Sequence, residues 1–549
     1  MKAVIWAAAI LGGAVLVVDC AGQIAVAQTK QPIHASNVSR WGGDADLLLI
    51  DSEAIARLRV RVEVDGLSSD RVWDRAIHAL FNYRDSDRDG KLSAVEAMRL
   101  PTPFNLRRLL WGNFALPSVV GDGWQSADTD ADEKLSEEEL RAFYQREGVG
   151  IQIGEASVPA TASLNAALIQ QLDRDGNGAI SVAELRTAEN RLAGRDLNED
   201  ELISPGELVR GINYPGASGA SRILPLVAAT KLPEFSGPAV LLLPADPGDT
   251  RWAKALRSHL AGGDRLSVAQ SRLAAKAFAA LDTDGDGSMS VVELARWRER
   301  PANLAWVATF GKDAITVPNA GDLSSKSVAQ IENLSGEGLR ISCRTDPGRL
   351  ADLWAQARQR VVNLFDGADA NQSGFLDEKS PFTQKDITLK ALLSVADQNS
   401  DGKLTRAELD AWFSVSEELL RGQILITILN HGHGLFEYVD EDHDGALSVR
   451  ELRAAISRLE RAKCFRNGAI DFRKMPRTLQ IAVSFGHPTT VLPKPHRQGP
   501  SWFLAMDQNG DGDISRKEWK SEPNSFGQWD LDHDGLLSEK EAVRVGKAK

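Results

Sequence analysis

The sequence predicts a mainly α-helical fold with small β segments (α+β), an array of six helix–loop–helix pairs joined by short strands and linkers. Three observations carry this prediction. The loop pattern Asp-x-(Asp/Asn)-x-(Asp/Asn)-Gly-x5-Glu occurs seven times, starting at Asp85, Asp173, Asp282, Asp397, Asp440, Asp507 and Asp530. Apolar residues recur four positions before each loop and at its eighth position. A 23-residue step recurs between loops, as from Asp173 to Asp196 and from Asp507 to Asp530. At 549 residues the chain is also too long for one core.

Each loop sets side-chain oxygens at positions 1, 3, 5 and 12 and a backbone carbonyl at position 7. A hard cation that wants six to eight oxygens, calcium above all, is met by this spacing. The candidate ligands are Asp85, Asp87, Asp89, Lys91 and Glu96; Asp173, Asp175, Asn177, Ala179 and Glu184; Asp282, Asp284, Asp286, Ser288 and Glu293. They continue with Asp397, Asn399, Asp401, Lys403 and Glu408; Asp440, Asp442, Asp444, Ala446 and Glu451. The last two sets are Asp507, Asn509, Asp511, Asp513 and Glu518, then Asp530, Asp532, Asp534, Leu536 and Glu541.

Three incomplete loops join them. Asp128, Asp130, Asp132 and Glu139 form one, and Asp196, Asn198, Asp200 and Glu207 another. Both carry glutamate (Glu133, Glu201) where a glycine would make the sharp turn, at a cost of about 1 kcal/mol. The third has Asp369, Asn371 and Ser373 but ends in Ser380, without the closing carboxylate.

The flanks separate these loops from a disordered acidic tail, which would not keep an apolar frame. Phe81, Trp124, Ile169, Leu192, Phe278, Phe365, Leu393, Phe436, Phe503 and Phe526 lie one helical turn upstream. Position 8 is Leu92, Leu135, Ile180, Ile203, Met289, Leu376, Leu404, Leu447, Ile514 and Leu537. On these residues the chain resembles the EF-hand superfamily over most of its length, and the closely stepped exported bacterial multi-EF-hand proteins within it. It is also reminiscent of dockerin modules, whose closely spaced calcium loops carry a protein-binding face. The resemblance implies that position 8 joins a short strand to the partner loop. It also implies side-chain chelation from positions 1, 3 and 5, carbonyl chelation from 7, and bidentate chelation by Glu at 12.

Since such hands pair, every loop needs a partner. Stepping back 23 residues from Asp282 reaches His259, which opens the segment 259–270 with Leu266 at position 8 and Gln270 at position 12. Stepping forward from Asp440 reaches Lys463, which opens 463–474 with Asn467, Gly468 and Ile470 retained and Lys474 at position 12. Both read as hands that have lost their ligands, with the Lys474 ammonium standing in for an ion. The expected pairs are 85/128, 173/196, 259/282, 369/397, 440/463 and 507/530. The corresponding units are 41–150 with leading strands, 160–210, 233–345, 346–490 with two pairs, and 501–549.

Between pairs, residues 46–64, 239–243, 304–310, 424–429 and 479–485 are apolar and partly β-branched, which predicts strands in small sheets bracing the helical pairs. Linkers are expected at 211–221 and 493–500, rich in Gly, Pro and Ser. Lys2, the apolar run 3–18 and Ala25-Val26-Ala27 read as a signal peptide over 1–27, with a membrane anchor as the weaker alternative. Cys343 and Cys464 then remain, as a disulfide or as two buried small apolar groups.

The net charge of −12 is local to the loops, and no basic face for nucleic acid is visible. No Gly-x-Ser-x-Gly, Gly-x4-Gly-Lys-Ser/Thr or His-Glu-x-x-His motif occurs. His431 and His433 could share a metal if they lay on one strand face; the glycines beside them favour a turn. His443 and His533, at position 4 of their loops, are expected to face solvent. The expected function is therefore a secreted, periplasmic or cell-surface calcium-binding protein, structural or protein-interacting, with Ca2+ as cofactor and no reaction. A calcium-stabilised enzyme and a calcium sensor are the alternatives. Against the sensor, the four methionines left after signal removal are dispersed and build no groove.

Overall fold

The computed structural model describes residues 44–50, 55–110, 118–157, 161–212, 214, 240–243, 250–261, 265–271, 273, 275–299, 302, 304–311, 328–331, 339–379, 381–490, 492, 498–522 and 525–546, and three short strands within 10–27. Ser380, most of the expected signal peptide 1–27 and most of the two expected linkers lie outside them.

Nine strands organise the centre: β1 (Asp44–Ile50), β2 (Ile55–Val64), β3 (Ile151–Ser157), β4 (Val240–Leu243), β5 (Leu304–Phe310), β6 (Val328–Ile331), β7 (Leu339–Asp346), β8 (Ile424–Gly432) and β9 (Arg477–Ser484). One sheet runs β5-β2-β1-β4, with Leu67–Ser68 turning back onto β2; the other runs β6-β7-β9-β8-β3. Alternation decides what each face does. Leu58, Val60 and Val62 of β2 point into a core that also takes Ile341 and Cys343 of β7 and Leu479, Ile481 and Val483 of β9. Phe310 meets Phe485 there at 4.8 Å between ring centroids. The two sheets thus bury one face each in a shared core, where braces between separate helical pairs were expected. β3, β6 and β7 lie outside the expected strand segments, although the alternation Leu339-Arg-Ile-Ser-Cys-Arg in β7 is a strand signal.

The outer faces carry the hands. On the first sheet, Leu48, Ile50, Ile55 and Leu243 pack against Trp252, Phe278, Met289 and Trp297 of the 259/282 pair. Arg57, 1% exposed on that face, pairs with Asp46 at 2.6 Å and donates to the Arg298 carbonyl at 2.5 Å. On the second sheet, Arg340 donates to the Tyr438 and Glu441 carbonyls at 2.6 and 3.0 Å, holding the entry to the 440 loop.

Helix α1 (Ser69–Arg84) packs along helix α2 (Arg406–Arg421), and hands 85, 128, 369 and 397 share one core. Hands 173, 196, 440 and 463 share another. The units 41–150, 160–210 and 346–490 are therefore interleaved, since each of these cores draws on two of them. The C-terminal pair has a small core of its own. It docks on the second four-hand core through Arg450 of helix α3 (Val449–Arg461), which grips Asp513 at 2.5 and 2.7 Å, and through Asn509, which donates to the Asp200 carbonyl at 2.9 Å.

Two expected pairs are exchanged. Bridges at position 8 join 85 to 128 (Leu92 with Leu135), 282 to 259 (Met289 with Leu266), 369 to 397 (Leu376 with Leu404) and 507 to 530 (Ile514 with Leu537). Ile203 of loop 196, however, pairs with Leu447 of loop 440, and Ser181 of loop 173 with Ala469. The physical reason lies in the second sheet. β3 and β8 run parallel side by side, and each leads into a first hand, 173 or 440. The helices that follow, Thr161–Leu172 and Leu435–Val439, pack on one another, so each first hand meets the other segment's second hand.

The segment 463–474 is a hand reduced to its bridging strand. Phe465–Arg466 and Ala469–Ile470 form a hairpin around Asn467 (φ 53°) and Gly468 (φ 80°), the type I′ signature. Nothing places the Lys474 ammonium in an ion's position. Cys343 and Cys464 are both free and buried in different cores, so the apolar alternative holds.

Gly348 tests the close approach of the turn after β7 to the end of β9, its neighbour in the same sheet. Its φ is +73°, and a Cβ there would lie 2.0 Å from the Phe485 carbonyl oxygen. Gly348→Ala should cost about 2 kcal/mol or more, read as a lowered thermal midpoint.

Candidate calcium centres

Each loop is built from the same few hydrogen bonds. In loop 85, one oxygen of Glu96 accepts from the Ser86 N–H at 2.7 Å, and the other accepts from the Ser93 N–H at 2.9 Å and its hydroxyl at 2.8 Å. The closing glutamate therefore does two jobs. It caps the helix that follows, and it spans the loop back to position 2. Glu139, Glu184, Glu207, Glu293, Glu408, Glu451, Glu518 and Glu541 repeat both contacts. The signal, a Ser or Thr three residues before each closing glutamate, was legible in the sequence and is absent from the ligand reading above.

The remaining ligands are held by main-chain donors. Position 5 accepts from the N–H of position 7 at 2.8–2.9 Å, as Asp89 from Lys91, Asn177 from Ala179, Asp286 from Ser288, Asp401 from Lys403, Asp444 from Ala446, Asp511 from Asp513 and Asp534 from Leu536. Position 3 accepts from the N–H of position 5: Asp87, Asp130, Asp175, Asn198, Asp284, Asn371, Asn399, Asp442, Asn509 and Asp532. Positions 4 and 6 take left-handed backbone, for example Arg88 (φ 59°) and Gly90 (φ 84°).

Does calcium fit? Ligand oxygens of Asp85, Asp87 and Glu96 lie within 4.8 Å of one another, as do those of the triads 128/130/139, 173/175/184, 282/284/293 and 440/442/451. One buried carboxylate oxygen in each of Asp282, Asp397, Asp440 and Asp530 has no hydrogen-bond donor. Buried oxygens are rarely left so, and a cation would satisfy them. The incomplete loops divide. Loops 128 and 196 accept left-handed Glu133 (φ 63°) and Glu201 (φ 65°) and keep the N–H bonds from these residues to Asp128 and Asp196, at 3.0 and 2.9 Å. In loop 369 the Ser373 hydroxyl contacts both Asp369 Oδ1 and the Phe375 carbonyl, at 3.0 and 2.9 Å, and so takes up a carbonyl an ion would need. The 259–270 loop keeps its cap without charge, as Gln270 accepts from the Ser267 N–H at 3.1 Å and hydroxyl at 2.8 Å.

Of the two position-4 histidines, His533 is exposed as expected and His443 is not. His443 is 2% exposed and stacks on buried His431 at 5.7 Å between ring centroids, although position 4 was expected to face solvent. The cause is tertiary, since the second sheet covers this loop and Gln480 reaches the His443 carbonyl at 3.4 Å. His433 is drawn away to the Met475 carbonyl at 2.9 Å, so His431 and His433 do not share a metal here.

Burial also splits the loops electrostatically. N–H donors from Ser181 and Arg174 pull Glu184 down to about 2. Desolvation, then the Asp442 charge, pushes Glu451 at the same loop position up to about 7, and desolvation followed by Asp442 pushes Asp444 up to about 6.

Such loops, in bridged pairs that offer oxygen donors, have the form of calcium-binding helix–loop–helix motifs. The EF hand family model matches residues 164–188, 273–296, 389–414, 433–457 and 501–521, which cover loops 173, 282, 397, 440 and 507. The chain carries EF hands at these five places, and such hands imply calcium. No curated protein and no solved structure matches the chain.

Protons should compete with calcium at loop 507, where desolvation pushes Asp511 up to about 7, and most of all at loop 440. Its carboxylates are raised, so the metal-free fold holds protons there up to about pH 7, and ion binding must expel them. For the metal-free protein, this contribution to stability is present at acid pH. It is lost as pH rises from the ordinary carboxylate range, about 4, through about 7. Calorimetry at pH 6.5 in buffers of different ionisation enthalpy should show proton release on calcium binding. Glu451→Gln should lower that release, while Glu184→Gln should leave it intact.

Proposed function

We propose that the chain is an exported protein whose calcium ions are structural, tying together segments far apart in sequence. One observation carries this reading: the calcium loops are themselves the joints of the fold. Loop 196 is bridged to loop 440, and loop 173 to the hairpin at 469. Arg99, just past loop 85, pairs with the first ligand of loop 397, Asp397, at 3.1 Å. Tyr83 donates to the Ala396 carbonyl at 2.7 Å beside the same loop. An ion that orders either member of such a joint orders two distant parts of the chain.

Linkage gives the scale. A site stabilises the fold by about 2.7 kcal/mol when free calcium is 100 times its dissociation constant. Several sites together make the fold itself calcium-dependent. The leader-like N-terminus supports export, and extracellular or periplasmic proteins are the partners this reading allows. No reaction is assigned to the chain. Among the described residues no helix is long and apolar enough to cross a membrane.

Removing calcium with a chelator should lower the thermal midpoint of residues 28–549 by about 10 °C or more and broaden the transition. Indifference of the melting curve to chelator would sink the structural role. Export is tested separately by sequencing the N-terminus of protein recovered outside the cytoplasm, which should begin at Gln28.

A further inference from the structure

In six loops the outer oxygen of the position-5 carboxylate, the one turned away from the loop's own N–H, is met by one of two kinds of donor. Where position 3 is asparagine, its amide supplies the donor within the loop. Asn198 Nδ2 reaches Asp200 Oδ2 at 2.7 Å, and Asn399 and Asn509 reach Asp401 and Asp511 at 3.3 Å each. Where position 3 is aspartate that amide is missing, and in three loops a cation arrives from the partner loop. Lys134 Nζ lies 2.6 Å from Asp89 Oδ2, Lys91 reciprocally contacts Asp132 Oδ2, and Arg265 contacts Asp286 Oδ2. All three cations occupy position 7 of their own loop, directly across the short strand bridge from the loop they serve. Arg265 belongs to the 259–270 segment, so a hand that has lost its own ligands supplies the cation for loop 282.

We propose that Lys91, Lys134 and Arg265 are affinity-determining residues, which hold the all-aspartate loops 85, 128 and 282 to weaker calcium binding than their four carboxylates would otherwise give. This rests on the calcium reading of the loops. The physical argument is one of charge. Four carboxylates concentrate more negative charge on an ion than the three in loops with an asparagine. A cation on the outer oxygen of position 5 stands one carboxylate away from the divalent ion and repels it. These pairs are half exposed, at 42% and 37% for Lys134 and Asp89, and such pairs add little to folding. Their effect is therefore on ion binding. A unit charge about 6 Å from a divalent ion in a water-like medium changes affinity about ten-fold.

The test uses the full mature chain and calcium alone, titrated by calorimetry at low ionic strength. Lys91→Met with Lys134→Met should tighten the 85/128 sites about ten-fold. Lys91→Arg with Lys134→Arg should restore wild-type affinity, because the cation remains. In a Glu96→Gln, Glu139→Gln background the methionine substitutions should change nothing, which assigns the shift to this pair. Unchanged affinity in the methionine variant, or an equal shift in that background, overturns the proposal while leaving calcium binding intact. Absence of calcium binding in the wild-type chain would instead overturn the calcium reading itself. Circular dichroism with calcium should be the same for all variants.

Discussion

The main-chain bridge at position 8 is the contact on which this molecule depends. Two residues, one from each loop, exchange N–H···O bonds, as Leu92 and Leu135 do at 2.8 and 2.9 Å. An unpaired loop would leave these groups buried without partners, which a fold avoids. The bridge is therefore obligatory, but it is also generic. Any apolar position 8 fits any other, so the bridge demands a partner without choosing one.

The choice is made elsewhere, by the sheets. β3 and β8 lie parallel in register from Ile151 beside Ile424 to Ser157 beside Asn430, and they deliver two first hands to the same edge. The exchange is then symmetric. The same offset in sequence separates Asp173 from Asp440 and Asp196 from Lys463, so loop 173 meeting 463 and loop 196 meeting 440 are equivalent crossings. This long-range pairing closes chain segments hundreds of residues apart, and such contacts form late and slowly.

That division explains what could be read in advance. The loops, their ligands and their apolar frame were legible because each is a local property of about sixteen consecutive residues. Loop-to-loop partnership was legible only where nothing competed: 85 with 128, 282 with 259, 369 with 397 and 507 with 530. A constant step of 23 residues marks 173/196 as strongly as 507/530, and no local signal tells a pair that closes on itself from one that crosses. The two sheets were underestimated for the same reason. Several of their strands sit singly between hands, and the joining of β2 to β5 or β7 to β9 is a parallel, long-range pairing. The buried setting of His443 was likewise invisible, because it depends on Gln480 and the sheet behind it rather than on its own loop.

The segments without ligands follow from the same constraint. The hairpin at 465–470 cannot chelate, yet Ile470 donates to the Ile180 carbonyl and Val182 donates to the Gly468 carbonyl, at 2.9 and 3.1 Å. Loop 173 is thereby satisfied as fully as it would be by a true hand, and an Asn-Gly turn is enough to present the strand. The 259–270 segment keeps more: the bridge, the Gln270 cap and, in Arg265, a charge aimed at the neighbouring site. Ligands can be lost from one member of a pair because they serve that loop alone. The strand at position 8 cannot, because it completes the other loop, and so the frame of a hand outlasts its chemistry.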